Sequence, residues 1–574
     1  MSTLEDLNLR NNSLSSSLPF DMCRHNLHRL KRLRISYNAL YGEIPSSLEQ
    51  CSQLEYVSLR SNNFSGNVPT QIGKLTLLQE LDMGANYLSG IIPKEIANLS
   101  MLQWLGLDNN KLSGDIPREI ANLRMLQRLD VNTNNLSGNI PKEIDALTNL
   151  QTLDLSINNF SGDVPREIGN LTMLQWLDLD TNELSGSITK EIGSLTNLQV
   201  LIMSFNSFSG HVPREFGNMT MLQSLFIGIN KLSGNILKEI GTIPKEIGAL
   251  TTLQTLRMDL NKFSGHLPRD IWNLTMLQNL DLGYSKLTGT IPKEIGALTN
   301  LETLSMDSSD FSGHVPRDIW NLTMLQNLDL SYNKLSGNIP REIGSLANLQ
   351  ILTMSWNSFS GHVPREIRNL TMLQELYLDG NNFVGSIPST FVSESGLNIL
   401  RLGDIPEEIG RLTNLQSLGM SSNKLKGPLP ATIFSMPSLE YADFAYNELS
   451  GSLSSHIGNM TSLLRIGLEF NHFSGNIPKE IGRLGNFERL SMSGNNFSGS
   501  LPREIGNLTT MFGLFLHNNA LSGNIPKEIG RLINLEELQL EVNDFDGSLP
   551  KEIGNMTLLS YLWLNDNNLS GTIS

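Results

Sequence analysis

Leucine and other apolar residues recur along the chain with a period of 24 residues. Each copy reads L-x-x-L-x-L-x-x-N-x-L, and its L-x-L stretch alternates apolar with polar residues, as Leu153 and Leu155 do around Asp154. Alternation with a period of two predicts a short strand that is buried on one face. One copy holds too few apolar residues to bury a core alone, so its leucines must pack on those of neighbouring copies. The pattern therefore predicts a solenoid whose strands pair in parallel.

Asparagine, glycine and proline mark fixed positions in each copy. Of 24 copies, 21 keep an asparagine after the strand, two carry Ser285 and Ser309 instead, and one is degenerate. An amide both donates and accepts, so we expect this corner asparagine to satisfy backbone groups where the chain leaves the strand. Glycine then permits a tight turn, and 21 of the 23 prolines fix φ at one later position.

The full phrase L-x-x-L-x-L-x-x-N-x-L-S-G-x-I-P-x-x-I-G-x-L resembles the plant-type leucine-rich repeat and covers essentially all 574 residues. The phrases GNIPKEIG and GNLTMLQ, with the opening segment from Ser16 to Cys23, are similar to the ectodomains of plant receptor-like kinases. Among these, the chain most resembles the subfamily that contains the flagellin and elongation-factor Tu receptors. The resemblance implies an α/β solenoid, a right-handed superhelix with a parallel concave sheet and a convex side of 3-10 and irregular segments.

We expect residues 1–574 to form a single leucine-rich repeat domain of about 24 repeats. Two irregularities interrupt the period: a seven-residue insertion near 237–243, and a degenerate repeat near 397–406 that lacks its corner asparagine. The chain begins and stops inside a repeat, without the paired-cysteine caps of the resembled family. The domain is therefore expected to be uncapped, and flanking sequence is expected at both ends.

Composition and motifs exclude several classes of function. A net charge of −15 argues against nucleic-acid binding, and no run of 18 apolar residues exists to insert into a membrane. His266, His314 and His362 recur every 48 residues, which places neighbouring imidazoles about 10 Å apart, too far for one zinc ion. No set of nucleophile, base and orienting group is present. We expect no catalytic residue, no metal and no cofactor; full-length relatives carry a serine/threonine kinase domain that this chain lacks.

Only two cysteines are present, both in the first two coils. Cys51 takes a convex position that other copies fill with leucine, so we expect buried free thiols at Cys51 and Cys23. A disulfide between adjacent coils is the alternative, which spacing alone does not decide.

Fifteen N-x-S/T sequons indicate a glycosylated extracellular surface that leaves the concave sheet mostly free of sugar. The competing interpretation is that N-L-T and N-L-S arise by chance inside a repeated consensus. Besides Asn11, the sequon asparagines are Asn63, Asn98, Asn135, Asn159, Asn170, Asn218, Asn273, Asn321, Asn369, Asn459, Asn496, Asn507, Asn555 and Asn568.

The solvent-facing positions of the concave sheet are free to vary without breaking the fold, so ligand binding is expected there. Between coils eight and eleven they hold an apolar patch, and exposed apolar clusters commonly mark partner sites. The apolar patch consists of Trp176, Val200, Ile202, Phe205, Phe226, Ile229 and Leu260. A smaller aromatic group, Tyr332, Trp356 and Tyr377, is a secondary candidate.

Acidic residues precede the apolar patch at one strand position of successive copies. We call Asp130, Asp154 and Asp178 the carboxylate ladder. Charges beside apolar anchors would set the register of an extended peptide. Aspartate in L-D-L is also frequent in the repeat consensus, so the ladder has a structural explanation as well.

These features favour the extracellular ligand-binding region of a plant receptor-like kinase or receptor-like protein, acting in defence or development. Its expected partners are a peptide or protein ligand and, by resemblance, a leucine-rich repeat co-receptor kinase; its expected place is the outer face of the plasma membrane. The alternative is a secreted inhibitor of pathogen wall-degrading enzymes. An ice-binding role is disfavoured, because the solvent-facing strand positions are too heterogeneous.

Overall fold

Each coil contains a three-residue inner strand and, in nearly every coil, a second short strand and a 3-10 turn. The computed structural model describes residues 4–23, 27–233, 243–385 and 407–571. The chain divides into two compact units, Met1–Thr288 and Gly289–Ser574. The insertion around Leu237 and the degenerate repeat around Leu402 lie outside the described residues. The expectation of a single domain stays a prediction.

In the described part of the first unit, twelve inner strands pair in parallel in sequence order. Leu129 pairs with Leu153, and Leu153 pairs with Leu177, so the register advances by one repeat per coil. The inner strands are Asp6–Asn8, Arg32–Arg34, Tyr56–Ser58, Glu80–Asp82, Trp104–Gly106, Arg128–Asp130, Thr152–Asp154, Trp176–Asp178, Val200–Ile202, Ser224–Phe226, Thr255–Arg257 and Asn279–Asp281.

The second strands of the first unit have two to five residues and lie beside the inner sheet. They are Tyr41–Glu43, Asn63–Asn67, Tyr87–Gly90, Lys111–Gly114, Asn135–Gly138, Asn159–Gly162, Glu183–Leu184, Ser209–Gly210, Lys231–Leu232, Ser264–His266 and Lys286–Thr290. The 3-10 turns are Ser46–Gln50, Thr70–Lys74, Lys94–Asn98, Arg118–Asn122, Lys142–Ala146, Arg166–Asn170, Lys190–Ser194, Arg214–Asn218, Lys245–Ala249 and Arg269–Asn273.

The second unit repeats this plan, with eleven inner strands among its described residues. Leu328 pairs with Leu352 and Leu490 with Leu514, again in parallel. The inner strands are Thr303–Ser305, Asn327–Asp329, Ile351–Thr353, Glu375–Tyr377, Ser417–Gly419, Tyr441–Asp443, Arg465–Gly467, Arg489–Ser491, Gly513–Phe515, Glu537–Gln539 and Tyr561–Trp563.

The second strands and 3-10 turns of this unit follow in the same order. The second strands are Asp310–His314, Lys334–Asn338, Ser358–Gly361, Asn382–Gly385, Lys424–Gly427, Glu448–Gly451, His472–Gly475, Asn496–Gly499, Ala520–Asn524, Asp544–Gly547 and Asn568–Leu569. The 3-10 turns are Lys293–Ala297, Arg317–Asn321, Arg341–Ser345, Arg365–Asn369, Glu407–Arg411, Ala431–Ser435, Ser455–Asn459, Lys479–Arg483, Arg503–Asn507, Lys527–Arg531 and Lys551–Asn555.

Proline sets the entry into the 3-10 turns. Pro165 has φ −64° and ψ 138°, and the turn Arg166–Asn170 begins at the next residue. Thr189 keeps the same geometry without the ring, with φ −68° and ψ 135°, and its hydroxyl donates to Glu191. The predicted solenoid of parallel strands and 3-10 turns is therefore confirmed.

The core runs between the inner sheet and the 3-10 side of each unit. Leu150, Leu153, Leu155 and Phe160 of one coil have no solvent-exposed surface. These positions repeat in every coil, so each leucine leaves water by packing on its counterpart in the next coil.

The corner asparagine links each coil to its neighbours. Asn158 Nδ2 donates to the carbonyls of Val131 and Ser156 at 3.0 Å and of Leu155 at 3.3 Å, and its Oδ1 accepts from Leu136 N–H at 2.9 Å. Serine replaces this network poorly: Ser285 Oγ lies 3.5 Å from the Gly283 carbonyl. The predicted role of the asparagine is confirmed.

The two cysteines form a disulfide, so the expectation of buried free thiols is wrong. Cys23 and Cys51 lie on adjacent coils with their Cα atoms 5.2 Å apart, and both residues are buried. Their separation of 28 residues is one repeat plus four, and only the fold of the first two coils brings these positions within bonding range.

Candidate functional site

Each coil presents four side chains on the solvent face of the inner sheet. Two come from the strand, one follows it, and the fourth precedes the corner asparagine. The backbone at the fourth position is left-handed in nearly every coil, with φ near +50°, as in Thr181 and Ile229. We call this series of positions the left-handed row.

Strand pairing brings most of the apolar patch together. Trp176 lies opposite Val200, and Ile202 lies opposite Phe226 on adjacent strands. Trp176 is 40% exposed, and the other three side chains are half-buried. Adjacent strands are about 4.8 Å apart, so these side chains contact one another across the sheet.

The rest of the apolar patch occupies the left-handed row of three successive coils. Phe205, Ile229 and Leu260 have φ of 51°, 50° and 50°, and their peptide groups are hydrogen-bonded from coil to coil. Phe205 is 52% exposed and Leu260 43%. Tyr284 continues the row and is also exposed, although the sequence pattern did not single it out.

Large residues are an unusual choice for this backbone conformation. A left-handed φ costs a residue with a β-carbon roughly 1–2 kcal/mol, most for β-branched side chains, and asparagine and aspartate tolerate it best. Asn109, Asn518 and Asp566 occupy the row in other coils, and large residues such as Tyr37 and Tyr446 occupy it in others again. Phe205, Ile229 and Leu260 therefore hold their positions at a local conformational cost.

The carboxylate ladder borders the apolar patch as predicted. Asp130 pairs with Asp154, Asp154 with Asp178, and Asp178 with Ile202 on the next strand. Asn132 Nδ2 bridges the first two carboxylates, donating to Asp130 Oδ1 at 2.8 Å and Asp154 Oδ2 at 2.9 Å.

Burial raises the pKa of Asp130 and Asp178. Together with the nearby carboxylates of Asp108 and Asp154, it raises the pKa of Asp130 to about 6, against the lowering effect of Arg128. Burial also raises the pKa of Asp178 to about 7. The backbone N–H of Asp180 donates to Asp178 Oδ1 at 2.9 Å and opposes this rise, because it stabilises the charged carboxylate. Asp178 therefore stands half-protonated near neutral pH at the edge of an apolar surface, where a ligand cation would favour its charged form.

Two of the secondary aromatic candidates come together in the second unit. Tyr332 and Trp356 occupy the left-handed row, and their rings stack with centroids 6.0 Å apart. A β-carbon on Gly380 in the next coil would lie 2.7 Å from the Trp356 ring, so glycine makes room for it. Tyr377 lies on the strand Glu375–Tyr377 of that coil, half-buried.

Sequence reasoning missed a second aromatic and cationic cluster in this unit. Tyr446 and Phe470 stack at 4.7 Å, the Arg489 guanidinium lies 4.3 Å from the Phe515 ring centroid, and Arg465 lies over Tyr441. Neighbouring residues line a depression of about 400 Å³. One signal was present: an aromatic residue one coil before a glycine of the left-handed row, as in Phe470 and Gly494.

The sequon asparagines are all exposed. Nine are the last residues of 3-10 turns, as Asn170 and Asn218 are, and five begin second strands, as Asn159 does. Asn11 alone occupies the left-handed row. The other fourteen lie off the solvent face of the inner sheet.

No helix in the described coils is long and apolar enough to cross a membrane. The same coils hold no group of three or more histidine, cysteine, aspartate or glutamate side chains placed to bind a metal ion.

Family models match several stretches of the chain. The leucine-rich repeat region model matches residues 83–233 and 154–261, and a leucine-rich repeat model matches 52–112. A further leucine-rich repeat model matches residues 3–25, 29–51, 276–298, 324–346, 348–370, 372–393 and 486–508. None of the curated proteins matches the chain.

Solved structures of plant receptors are similar over almost the whole chain. The PEPR1–AtPEP1 crystal structure is 31% identical over 99% of this chain and 76% of its own, with a TM-score of 0.91. The plant peptide hormone receptor RGFR1 in complex with RGF2 is 36% identical, covering 98% and 89%, with a TM-score of 0.84. The Arabidopsis receptor kinase HAESA, with the peptide hormone IDA and the co-receptor SERK1, is 31% identical over 100% and 84%, with a TM-score of 0.70.

Proposed function

The chain belongs to the leucine-rich repeat ectodomains of plant receptor kinases, and from that premise we propose that it captures a peptide on the apolar patch. It is an extracellular ligand-binding module, as its structural neighbours are. We place it at the outer face of the plasma membrane. The nearer likeness to the flagellin and elongation-factor Tu receptors stays a prediction.

One observation carries the choice of site. Three successive coils hold Phe205, Ile229 and Leu260 in a left-handed conformation that asparagine would adopt at lower cost. These side chains adopt the left-handed conformation at a local cost, are half exposed and adjoin Ile202 and Phe226, so they are well placed to act as apolar anchors for a partner.

The border of the patch suggests the order of groups along the ligand. Asp178 lies beside Ile202, so a peptide with a basic residue next to an apolar one would place its cation on the carboxylate ladder and its apolar side chain on the patch. Because its pKa is raised, the Asp178 carboxyl retains a proton near neutral pH. The ligand cation would take the place of that proton.

HAESA was solved with a co-receptor, which supports a second partner for this chain, a leucine-rich repeat co-receptor kinase. The alternative of a secreted enzyme inhibitor is not favoured, because the similar structures are receptor ectodomains over nearly the whole chain. A kinase domain encoded beyond this chain would carry the catalytic activity of the full receptor.

The test measures peptide binding by calorimetry with purified secreted chain. AtPEP1, RGF2, IDA and peptides selected from a random dodecapeptide display library serve as probes. Ile202→Ala combined with Phe226→Ala is expected to weaken binding about 30- to 700-fold, because truncating each of the two anchors costs roughly 1–2 kcal/mol. The matched control combines Thr303→Ala with Asn327→Ala, an adjacent solvent-facing pair in the second unit.

A second variant separates binding from folding. Ile229→Asn is expected to raise the unfolding free energy by about 1 kcal/mol, because asparagine tolerates the left-handed φ, and yet to weaken binding. Unchanged affinity in both patch variants, or an equal loss in the control pair, would show that the ligand binds elsewhere.

A further inference from the structure

Exposed methionines form a row at one position of the coils, between the 3-10 turn and the inner strand. Each lies just before an inner strand, three residues after the end of a 3-10 turn. Six of them are 44–49% exposed: Met101, Met173, Met221 and Met276 in the first unit, and Met324 and Met372 in the second. Long apolar side chains therefore recur at one exposed position of these coils.

A tight double turn joins four of these methionines, Met101, Met173, Met276 and Met324, to a sequon. Asn170 ends its 3-10 turn, and Leu171, with φ −80° and ψ 56°, forms an inverse γ-turn in which Thr172 N–H donates to the Asn170 carbonyl at 2.9 Å. Leu174 N–H then donates to the Leu171 carbonyl, so Thr172 and Met173 lie at an exposed corner. Three residues of chain keep the Asn170 and Met173 Cα atoms within about 10 Å.

Sequons and exposed apolar residues occur in the same coils. Of the 21 3-10 turns in the described residues, nine end in a sequon asparagine, and the residue three positions later is methionine or leucine in seven of them. Of the twelve turns without a sequon, ten have a polar residue there. Copying of a two-coil unit accounts for much of this repetition, whereas the geometry of the turn places each sequon beside its apolar residue in space.

We propose that the first N-acetylhexosamine linked to each of these asparagines lies over the methionine three residues later. Its N-acetyl methyl group and the apolar face of its ring would contact the thioether. Methionine suits this contact because its flexible, polarisable side chain adapts to an irregular partner. The sugar would thereby remove the exposed apolar row from water and shield it from oxidants.

This inference rests on passage through the secretory pathway, which the proposed function also requires. It concerns a face of the coils that the ligand hypothesis does not use. Loss of peptide binding and loss of methionine cover are measured separately, so failure of one leaves the other standing.

The chain contains its own control. Met125 occupies the same position and is 42% exposed, but Arg124 replaces the sequon threonine, so Asn122 carries no sugar. Met219 has no exposed surface, so it gives the reference oxidation rate of a buried thioether.

The experiment treats the secreted, glycosylated chain with dilute hydrogen peroxide for a series of times. After quenching and removal of sugar, peptide mass spectrometry gives the oxidation rate of each methionine and the occupancy of each sequon. We expect Met173 to oxidise at least about threefold more slowly than Met125, because thioether oxidation follows exposure. Asn170→Gln and Thr172→Ala, which remove the sequon in different ways, should both bring Met173 to the rate of Met125 and leave Met221 unchanged.

Two results would overturn the inference. One is equal oxidation of Met173 and Met125 in molecules that carry sugar on Asn170. The other is the absence of sugar from Asn170, Asn218 and Asn273 in the secreted protein. Since the main comparison is made within one wild-type preparation, it stands even if a variant is secreted poorly.

Discussion

Replacing one corner asparagine by alanine tests whether these residues hold the coils together. Asn158→Ala removes the acceptor of Leu136 N–H and the donor to the carbonyls of Val131, Leu155 and Ser156. Asn158 is 8% exposed, so water does not readily replace these bonds.

The magnitude follows from the groups left without partners. A buried donor or acceptor without a partner costs about 1–3 kcal/mol, and Asn158→Ala leaves one amide N–H and at least one carbonyl in that state. We expect the unfolding free energy to fall by about 2–4 kcal/mol, allowing for partial relaxation of the turn.

The assay is urea unfolding followed by tryptophan fluorescence, with hydrogen exchange to locate the effect. The Leu136 amide should lose protection, whereas amides several coils away should keep theirs. Asn149→Ala is the matched control, because Asn149 is exposed and makes a single bond of 2.8 Å to the Arg124 carbonyl. If the two variants unfold within about 0.5 kcal/mol of each other, the account of the corner asparagine is refuted.

The structure fixes the direction in which two further substitutions should change the unfolding free energy. Ser309 Oγ is buried without a partner among the described residues, so Ser309→Asn, whose amide would donate to the Met306 and Asp307 carbonyls, should raise the unfolding free energy by about 1–2 kcal/mol. Asp178 binds its proton more tightly when folded, since its pKa is raised from 3.8 to about 7, so its contribution to stability declines as pH rises from about 4 to 7. Asp178→Asn should therefore stabilise the protein by up to about 4 kcal/mol at pH 8 and have little effect at pH 4, as measured by urea unfolding at both pH values. An equal effect at the two pH values would contradict the raised pKa.

The sequence predicted the apolar patch as a set of solvent-facing positions, but it did not predict the backbone conformation at those positions. Phe205 and Ile229 occupy a left-handed conformation imposed by coil-to-coil hydrogen bonds. No residue pattern within one repeat reveals this, because the residues in the row range from alanine to tryptophan. The same holds for Phe470 and Arg489, whose ring contacts join residues of different coils.

The residue pattern alone predicted the repeat, the parallel strands, the corner asparagine network and the exposed positions of the sequons. These features depend on periodicity and on the chemistry of single residues, and both recur in every copy of the repeat. Only the stacked coils show the Cys23–Cys51 disulfide, the raised pKa of Asp178 and the stacking of Tyr446 on Phe470. Each of these depends on distance and burial between groups, and those quantities exist only once the coils are stacked.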